Sequence, residues 1–185
     1  MLGIGATATV AAWTDETHST AQFEAGSFAI EVYFDGTWQS THTMQFNADS
    51  WYPGYYEITP VLIRTSPDTT VAGDLKVVGQ GALGDLAPYL QYQATATNLN
   101  IQEVENFSCP ETLDSSSDFI FGAQEPYVSL DTPAEASGTQ TVAAAGSDVV
   151  AYCFEIRLGS DAPNDVQNTS ANHTWTFEAQ SRVPE

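Results

Sequence analysis

The sequence predicts an all-β protein: one domain folded as a jelly-roll-type antiparallel β-sandwich. Apolar residues recur at every second position in most of the chain, and turn-forming stretches rich in Gly, Pro, Asp and Ser separate these runs. The 185 residues are 42% apolar, which is enough for a sizeable core. Roughly eight to ten short strands at this spacing indicate a sandwich or jelly roll rather than parallel βαβ units.

The alternation is clearest in three stretches, SFAIEVYFD (27–35), VVAYCFEIRL (149–158) and HTWTFEAQ (173–180). The apolar residues that share one face are, in order, Phe28, Ile30, Val32 and Phe34; Val150, Tyr152, Phe154, Ile156 and Leu158; and Trp175, Phe177 and Ala179. Such a pattern predicts strands with one buried and one solvated face.

Further strands are predicted at 55–65, 73–79, 89–97 and 125–130. Only GALGDLAPYL (81–90) could hold a helical turn, which Pro88 limits. Residues 159–172 lack periodicity and are predicted as a loop.

Charge excludes several classes of function. The chain has 24 acidic residues and four basic ones, with a net charge of −20. This charge repels phosphate backbones and anionic lipid, so neither nucleic acid nor a membrane surface is expected as a partner. No stretch approaches the roughly 18 apolar residues of a membrane span. An acidic, lysine-poor surface suits an exported protein.

Two cysteines, Cys109 and Cys153, are present. An even, small count in an exported chain favours a disulfide, and two buried thiols are the alternative.

No motif predicts a catalytic site or a cofactor. GQGALG (79–84) fits a dinucleotide-binding pattern, but Pro88 interrupts the helix that this pattern needs, so we interpret it as a loop. His18, His42 and His173 do not form a zinc-binding motif, and each is predicted as an exposed strand or turn residue. DSSSD (114–118) and DAPND (161–165) could hold calcium only loosely, and solvated turns explain them better.

Two surface features suggest other roles. WYPGYY (51–56) concentrates aromatics at a Pro-Gly turn; packing at the end of a sandwich is the preferred interpretation, and a sugar-binding surface is the alternative. Sequons at Asn106, Asn168 and Asn172 are possible glycosylation sites if the host glycosylates.

The start of the chain resembles a known family. ATATVAAWTDETHSTAQFEAGSFAIEV (6–32) is similar to the beginning of TasA/camelysin-type exported proteins, which a SipW-type signal peptidase processes. The shared motif F-x-A-G-[ST]-[FL]-x-[IL] consists here of Phe23, Ala25, Gly26, Ser27, Phe28 and Ile30. PGYYEITPVLIRT (53–65) resembles a family strand, with Tyr55 in place of the usual acid. VAGDLKVVG (71–79), YCFEIRL (152–158) and HTWTFEAQS (173–181) resemble later strands, the last two those of actinobacterial members.

The resemblance implies a secreted jelly-roll subunit of an extracellular fibre or pilus in biofilm matrix. It also implies that other copies of the chain are the partners, with each subunit completed by an N-terminal strand from its neighbour. An assembly or anchoring protein could assist. Some family members carry a metallopeptidase label, so a zinc peptidase is an alternative function. A monomeric sugar-binding or adhesive module is the other.

The N-terminal segment is the predicted donor. Residues 1–22 are expected to be a remnant of an export signal, a donor strand, or both, and residues 23–185 the sandwich domain. Small apolar residues suit a strand that slides between two sheets, and cleavage near Ala11 or Ala12 would leave WTDETHSTAQF (13–23) as the donor. The residues expected to contact the neighbouring subunit are Ile4, Ala6, Ala8, Val10, Ala12, Trp13 and Phe23.

Overall fold

Two antiparallel β-sheets make up the fold. The computed structural model of the protein describes residues 14–17, 28–40, 51–166 and 169–182. The strands in this part of the chain are β1 (Thr14–Thr17), β2 (Ile30–Phe34), β3 (Thr37–Gln39), β4 (Tyr56–Thr65), β5 (Gly73–Gly79), β6 (Leu90–Asn100), β7 (Phe119–Phe121), β8 (Val128–Ser129), β9 (Ala134–Glu135), β10 (Gln140–Val142), β11 (Asp148–Leu158) and β12 (Trp175–Ser181). The all-β prediction is confirmed.

In the described part of the chain, the helical content is four short 3-10 segments, at Ala87–Tyr89, Ile101–Asn106, Ala144–Gly146 and Asn164–Val166. The first lies in the stretch for which a helical turn was allowed. Among the described residues, no helix is both long and apolar enough to cross a lipid bilayer.

The five-stranded sheet has the order β1-β12-β5-β10, and β9 also pairs with β5. The seven-stranded sheet has the order β3-β2-β4-β11-β6-β7, and β8 also pairs with β6. Apart from β2 with β3 and β6 with β7, neighbouring strands on these paths are not consecutive along the chain, because the chain crosses repeatedly from one sheet to the other. The predicted strand at 125–130 is shorter than expected, because only Val128 and Ser129 pair with β6.

One apolar core joins the two sheets. Leu75, Val77 and Phe177 of the five-stranded sheet pack in the same cluster as Ile63 and other residues of the seven-stranded sheet. The rings of Tyr152 and Phe177 lie 5.2 Å apart between centroids, and those of Phe154 and Trp175 lie 4.9 Å apart. Ring pairs at such separations contribute about 0.5–1.5 kcal/mol beyond the area that they bury. The buried face predicted for β11 and for β12 is therefore confirmed.

The second face of β11 was predicted to be solvated, and this prediction is wrong. Val149 and Ala151 pack in a smaller apolar cluster with Leu62 and Val104, beneath the 3-10 segment Ile101–Asn106. Further along the same face, Cys153 is bonded to Cys109, which confirms the predicted disulfide. The chain between β6 and β7 thus covers the outside of the sheet, a long-range arrangement that alternation along one strand cannot indicate.

A buried carboxylate completes this outer face. Glu155 is 4% exposed, and it accepts hydrogen bonds from the hydroxyl of Tyr127 (2.9 Å) and the side-chain amide of Gln93 (2.8 Å). The guanidinium of Arg157 lies 4.5 Å from the centre of the Tyr127 ring. Because a buried charge is costly unless it is hydrogen-bonded, these donors explain how a glutamate is tolerated on the strand. The group fastens the loop before β8 to the sheet.

Replacing both cysteines tests how much the disulfide contributes to stability. The bridge closes a separation of 44 residues, for which the chain-entropy model gives about 4 kcal/mol. We expect the Cys109→Ala/Cys153→Ala variant to lose about that much free energy of unfolding in urea titrations. Reduction of the unaltered protein is the control and should cause a similar loss. A difference below about 1 kcal/mol would contradict the chain-entropy account.

Candidate functional site

The outer edge of β12 is the candidate functional site, since an N-terminal segment pairs with it. Thr14 lies opposite Gln180, Asp15 opposite Ala179, Glu16 opposite Glu178, and Thr17 opposite Phe177. The pairing is antiparallel and adds β1 as the last strand of the five-stranded sheet. Thr14–Thr17 therefore lie along β12 of the same chain.

The core holds β12 firmly in place behind this edge. Phe177 and Ala179 are buried, 7% and 1% exposed, and both belong to the main core cluster. On its other side, β12 pairs along its whole length with β5. Hydrogen bonds to β5 and packing in the core hold β12 in place. Its other edge therefore presents a preformed row of backbone donors and acceptors. Such an edge can accept a strand in a defined register.

Charged residues cross the outer face of this sheet near the edge. Glu178 of β12 lies opposite Lys76 of β5, and the ammonium of Lys76 binds the carboxylate of Glu135 at 2.5 Å. The pKa of Lys76 is raised, chiefly by the hydrogen bond with Glu135 and also by Coulombic attraction from Glu135 and Glu178. Lys76 is the only lysine of the chain. Glu135 itself lies opposite Val78, so the ion pair with Lys76 runs diagonally between β5 and β9.

The residues predicted to contact a neighbouring subunit, namely Ile4, Ala6, Ala8, Val10, Ala12, Trp13 and Phe23, lie outside the described residues. The polar stretch WTDETHSTAQF, weighed as an alternative donor, contains β1. No pattern in the sequence identifies β12 as the strand that pairs with the N-terminal segment. Its alternating Phe177 and Ala179 predict a half-buried strand, but alternation does not distinguish a strand at a sheet edge from a central one.

His173 lies in a cluster of aromatic rings, and the prediction that it is exposed is wrong. Its ring lies 4.1 Å from that of Trp175 and 5.8 Å from that of Tyr92, between centroids, and both ring nitrogens are buried. Gly79 makes the close packing possible, because a Cβ there would lie 3.0 Å from the Tyr92 hydroxyl and 3.1 Å from Nε2 of His173. Burial lowers the pKa of His173 to about 4 and raises that of Tyr92 to about 12. His18 and His42 lie outside the described residues.

The aromatics of WYPGYY are divided between packing and exposure. Trp51 packs against the core, whereas Tyr52 is 64% exposed. The Tyr52 and Tyr55 rings meet edge-on, 5.4 Å apart between centroids. The hydroxyl of Tyr56 donates a hydrogen bond to the carbonyl of Glu111.

Other predicted sites lie in loops. GQGALG begins at the end of β5 and opens no α-helix, as the loop interpretation predicted, and Leu83 forms a bridge with Asn172. Asn106 and Asn172 are exposed, and Asn168 lies outside the described residues. Within DSSSD, the carboxylate of Asp114 accepts hydrogen bonds from the backbone amide and hydroxyl of Ser116, an arrangement typical of a turn. Within the described residues, no group of three or more His, Cys, Asp or Glu side chains could hold a metal ion.

Comparisons with protein-family models, curated proteins and solved structures found no match to the chain. The function is therefore inferred from the chain's own residues, above all from those at the edge of β12.

The low pKa of His173 predicts acid sensitivity. Between pH 6.5 and about 4, the unfolded state binds a proton at this histidine and the folded state does not, so the free energy of unfolding falls as the pH falls. We expect His173→Phe to remove at most about 3 kcal/mol of this dependence, less in practice because the ring is partly exposed. Chemical denaturation across this pH range, in both proteins, measures the difference. The contributions of titrating groups that the two proteins share cancel in this difference. Parallel curves of unfolding free energy against pH would contradict the prediction.

Proposed function

We propose that this chain is a non-catalytic structural subunit of an extracellular fibre, which polymerises when one subunit donates its N-terminal strand to the next. In this proposal the fold is a jelly roll, the protein is secreted, and residues 1–22 are the donor while residues 23–185 form the domain. The observation that carries it is the backbone pairing of Thr14–Thr17 with the outer edge of β12. A strand that docks there from its own subunit can dock there from another.

The same hydrogen bonds are available to either strand. Docking within a subunit and docking between subunits make equivalent backbone bonds to Phe177–Gln180, so the two arrangements differ mainly in connectivity. Exchange of an identical element between copies is a low-cost route to assembly. If each subunit gives its strand to the next and no ring closes, the product is a filament.

The length of chain before the domain allows such an exchange. Ten residues, 18–27, separate β1 from Phe28. Ten extended residues span at most ~33–36 Å, about the diameter of a small domain. This reach lets β1 meet the corresponding edge of an adjoining subunit without unfolding the sheets.

The residues before β1 can increase the affinity of a donated strand. Four backbone pairs contribute only about 0.5–1.5 kcal/mol per hydrogen bond. Burial of Ile4 and Val10 in a neighbouring subunit would add about 1.5–3 kcal/mol each. If processing removes residues 1–12, Trp13 and Phe23 remain as apolar anchors, and the backbone bonds carry a larger share of the affinity.

The secreted location has independent support. The Cys109–Cys153 bridge is typical of an oxidising compartment, and the net charge of −20 favours solubility outside the cell.

Removal of the N-terminal segment tests the proposal. We expect the purified full chain to form fibres in negative-stain electron microscopy and a version lacking residues 1–22 to remain without fibres, because it has no strand to donate. Circular dichroism and a thermal unfolding transition show whether the truncated protein is folded. Fibres of equal abundance in both proteins would overturn the proposal.

Cross-linking distinguishes exchange from docking within a subunit. Thr14 and Gln180 lie opposite each other, so we expect Thr14→Cys/Gln180→Cys subunits, oxidised after assembly, to give a covalent ladder in non-reducing electrophoresis. The same variant oxidised as a dilute monomer should instead form the bond within one chain. The single variant Thr14→Cys is the control, since it can form no bond with position 180. A monomeric band alone from assembled fibres would contradict strand exchange.

A further inference from the structure

Four buried polar atoms of three neighbouring side chains have no hydrogen-bond partner among the residues that the structure describes. They are the hydroxyl oxygen of Tyr92, both ring nitrogens of His173 and the indole nitrogen of Trp175. The three rings lie 4.1–5.8 Å apart between centroids. Tyr92 lies on β6 in the seven-stranded sheet, and Trp175 begins β12 in the five-stranded sheet. Polar groups from both sheets are thus gathered in one place between them.

The groups around these atoms do not satisfy them. Tyr92 is fully buried, so bulk solvent does not reach its hydroxyl. Burial raises the pKa of Tyr92 and lowers that of His173. The indole of Trp175 and the carbonyl of Leu130, respectively, oppose these shifts, but neither contact has the geometry of a hydrogen bond. Because a buried polar group without a partner costs free energy, a cluster of four such atoms indicates a bound molecule.

Gly79 of β5 leaves room beside two of the four atoms. A Cβ at position 79 would lie 3.0 Å from the hydroxyl oxygen of Tyr92 and 3.1 Å from Nε2 of His173. Because glycine has no Cβ, these two atoms face the same point beside the β5 backbone, about one hydrogen-bond length from each. A small molecule near this point can therefore bond to both.

The bound molecule must both donate and accept hydrogen bonds. The indole N–H of Trp175 only donates, whereas the Tyr92 hydroxyl can do either, and the imidazole of His173, neutral at pH 7, has one donor and one acceptor. An anion would leave the imidazole acceptor unpaired, and a cation would be repelled by the indole N–H. A water molecule has two donors and two acceptors, and a buried water typically makes about three hydrogen bonds. Water therefore fits this set of groups.

We propose that an ordered water molecule binds between Tyr92, His173 and Trp175 and links the two sheets at this end of the sandwich. The water accepts a hydrogen bond from the indole N–H and bonds to the Tyr92 hydroxyl and to Nε2 of His173. These bonds connect β6 to the start of β12, the strand whose outer edge pairs with β1. The site is independent of strand exchange, so the two proposals stand or fall separately.

A high-resolution crystal structure of the full chain tests the site directly. We expect an electron-density peak at about 2.7–3.2 Å from at least two of the three side chains. Tyr92→Phe should lose or displace this peak, because the variant keeps the ring and removes one of the bonds. Tyr152→Phe is the matched control and should retain the peak. Absence of the peak from the unaltered protein, or a direct hydrogen bond among the three side chains, would overturn the proposal.

The same two variants give a second test in solution. The hydroxyl of Tyr152 is likewise buried without a partner among the described residues, but its ring packs on the apolar rings of Phe154 and Phe177. In urea titrations we expect Tyr92→Phe to lower the ratio of folded to unfolded protein about twofold to tenfold, since it loses a hydrogen bond. Tyr152→Phe should leave this ratio unchanged or raise it, because removing an unpaired buried hydroxyl costs nothing. A loss in Tyr92→Phe no larger than that in Tyr152→Phe would contradict the bound water.

Discussion

The burial of β11 on both faces is the constraint on which the rest of the structure depends. One face carries Tyr152 and Phe154 into the core between the sheets, and the other carries Cys153 and Glu155 beneath the covering loops. Strand pairing with β4 and β6 satisfies the backbone on both sides. A strand in this position cannot shift by one residue, since a shift would exchange the two faces and bring the carboxylate of Glu155 into the apolar core. The register of the seven-stranded sheet is therefore fixed.

Aromatic contacts across the core position the five-stranded sheet against this fixed sheet. Phe177 packs on Tyr152, and Trp175 packs on Phe154, so β12 takes its position from β11 across the core. The position of the edge on which β1 docks therefore depends on the contacts that β12 makes with β11, the most deeply buried strand. This explains how a short, polar strand such as Thr14–Thr17 can find a defined register there. This edge is held in place by the core, and such preorganisation lowers the entropy lost when a strand pairs with it.

Local sequence patterns predicted much of the fold. The features that they did not predict depend on contacts between residues far apart along the chain. Alternation predicted most of the long strands, because the side chains of a strand that packs on one core alternate between two environments. It failed for Glu155, since a charge in an alternating strand indicates solvent unless some remote group hydrogen-bonds to it, as Tyr127 does. It failed likewise for His173, whose burial depends on space left by Gly79. The edge of β12 was not predictable for the same reason: which strand lies next to which is a property of the whole chain.

The charge of the protein restricts how copies could associate. A net charge of −20 makes any two subunits repel each other, and the four basic residues already bind groups within their own subunit. Association through complementary charged faces is therefore disfavoured. Backbone hydrogen bonds along a strand act at short range and are independent of side-chain charge, and salt reduces the long-range repulsion beyond ~8–10 Å. The strand addition proposed above is compatible with such a surface, whereas the acidic surface opposes less specific contacts between copies.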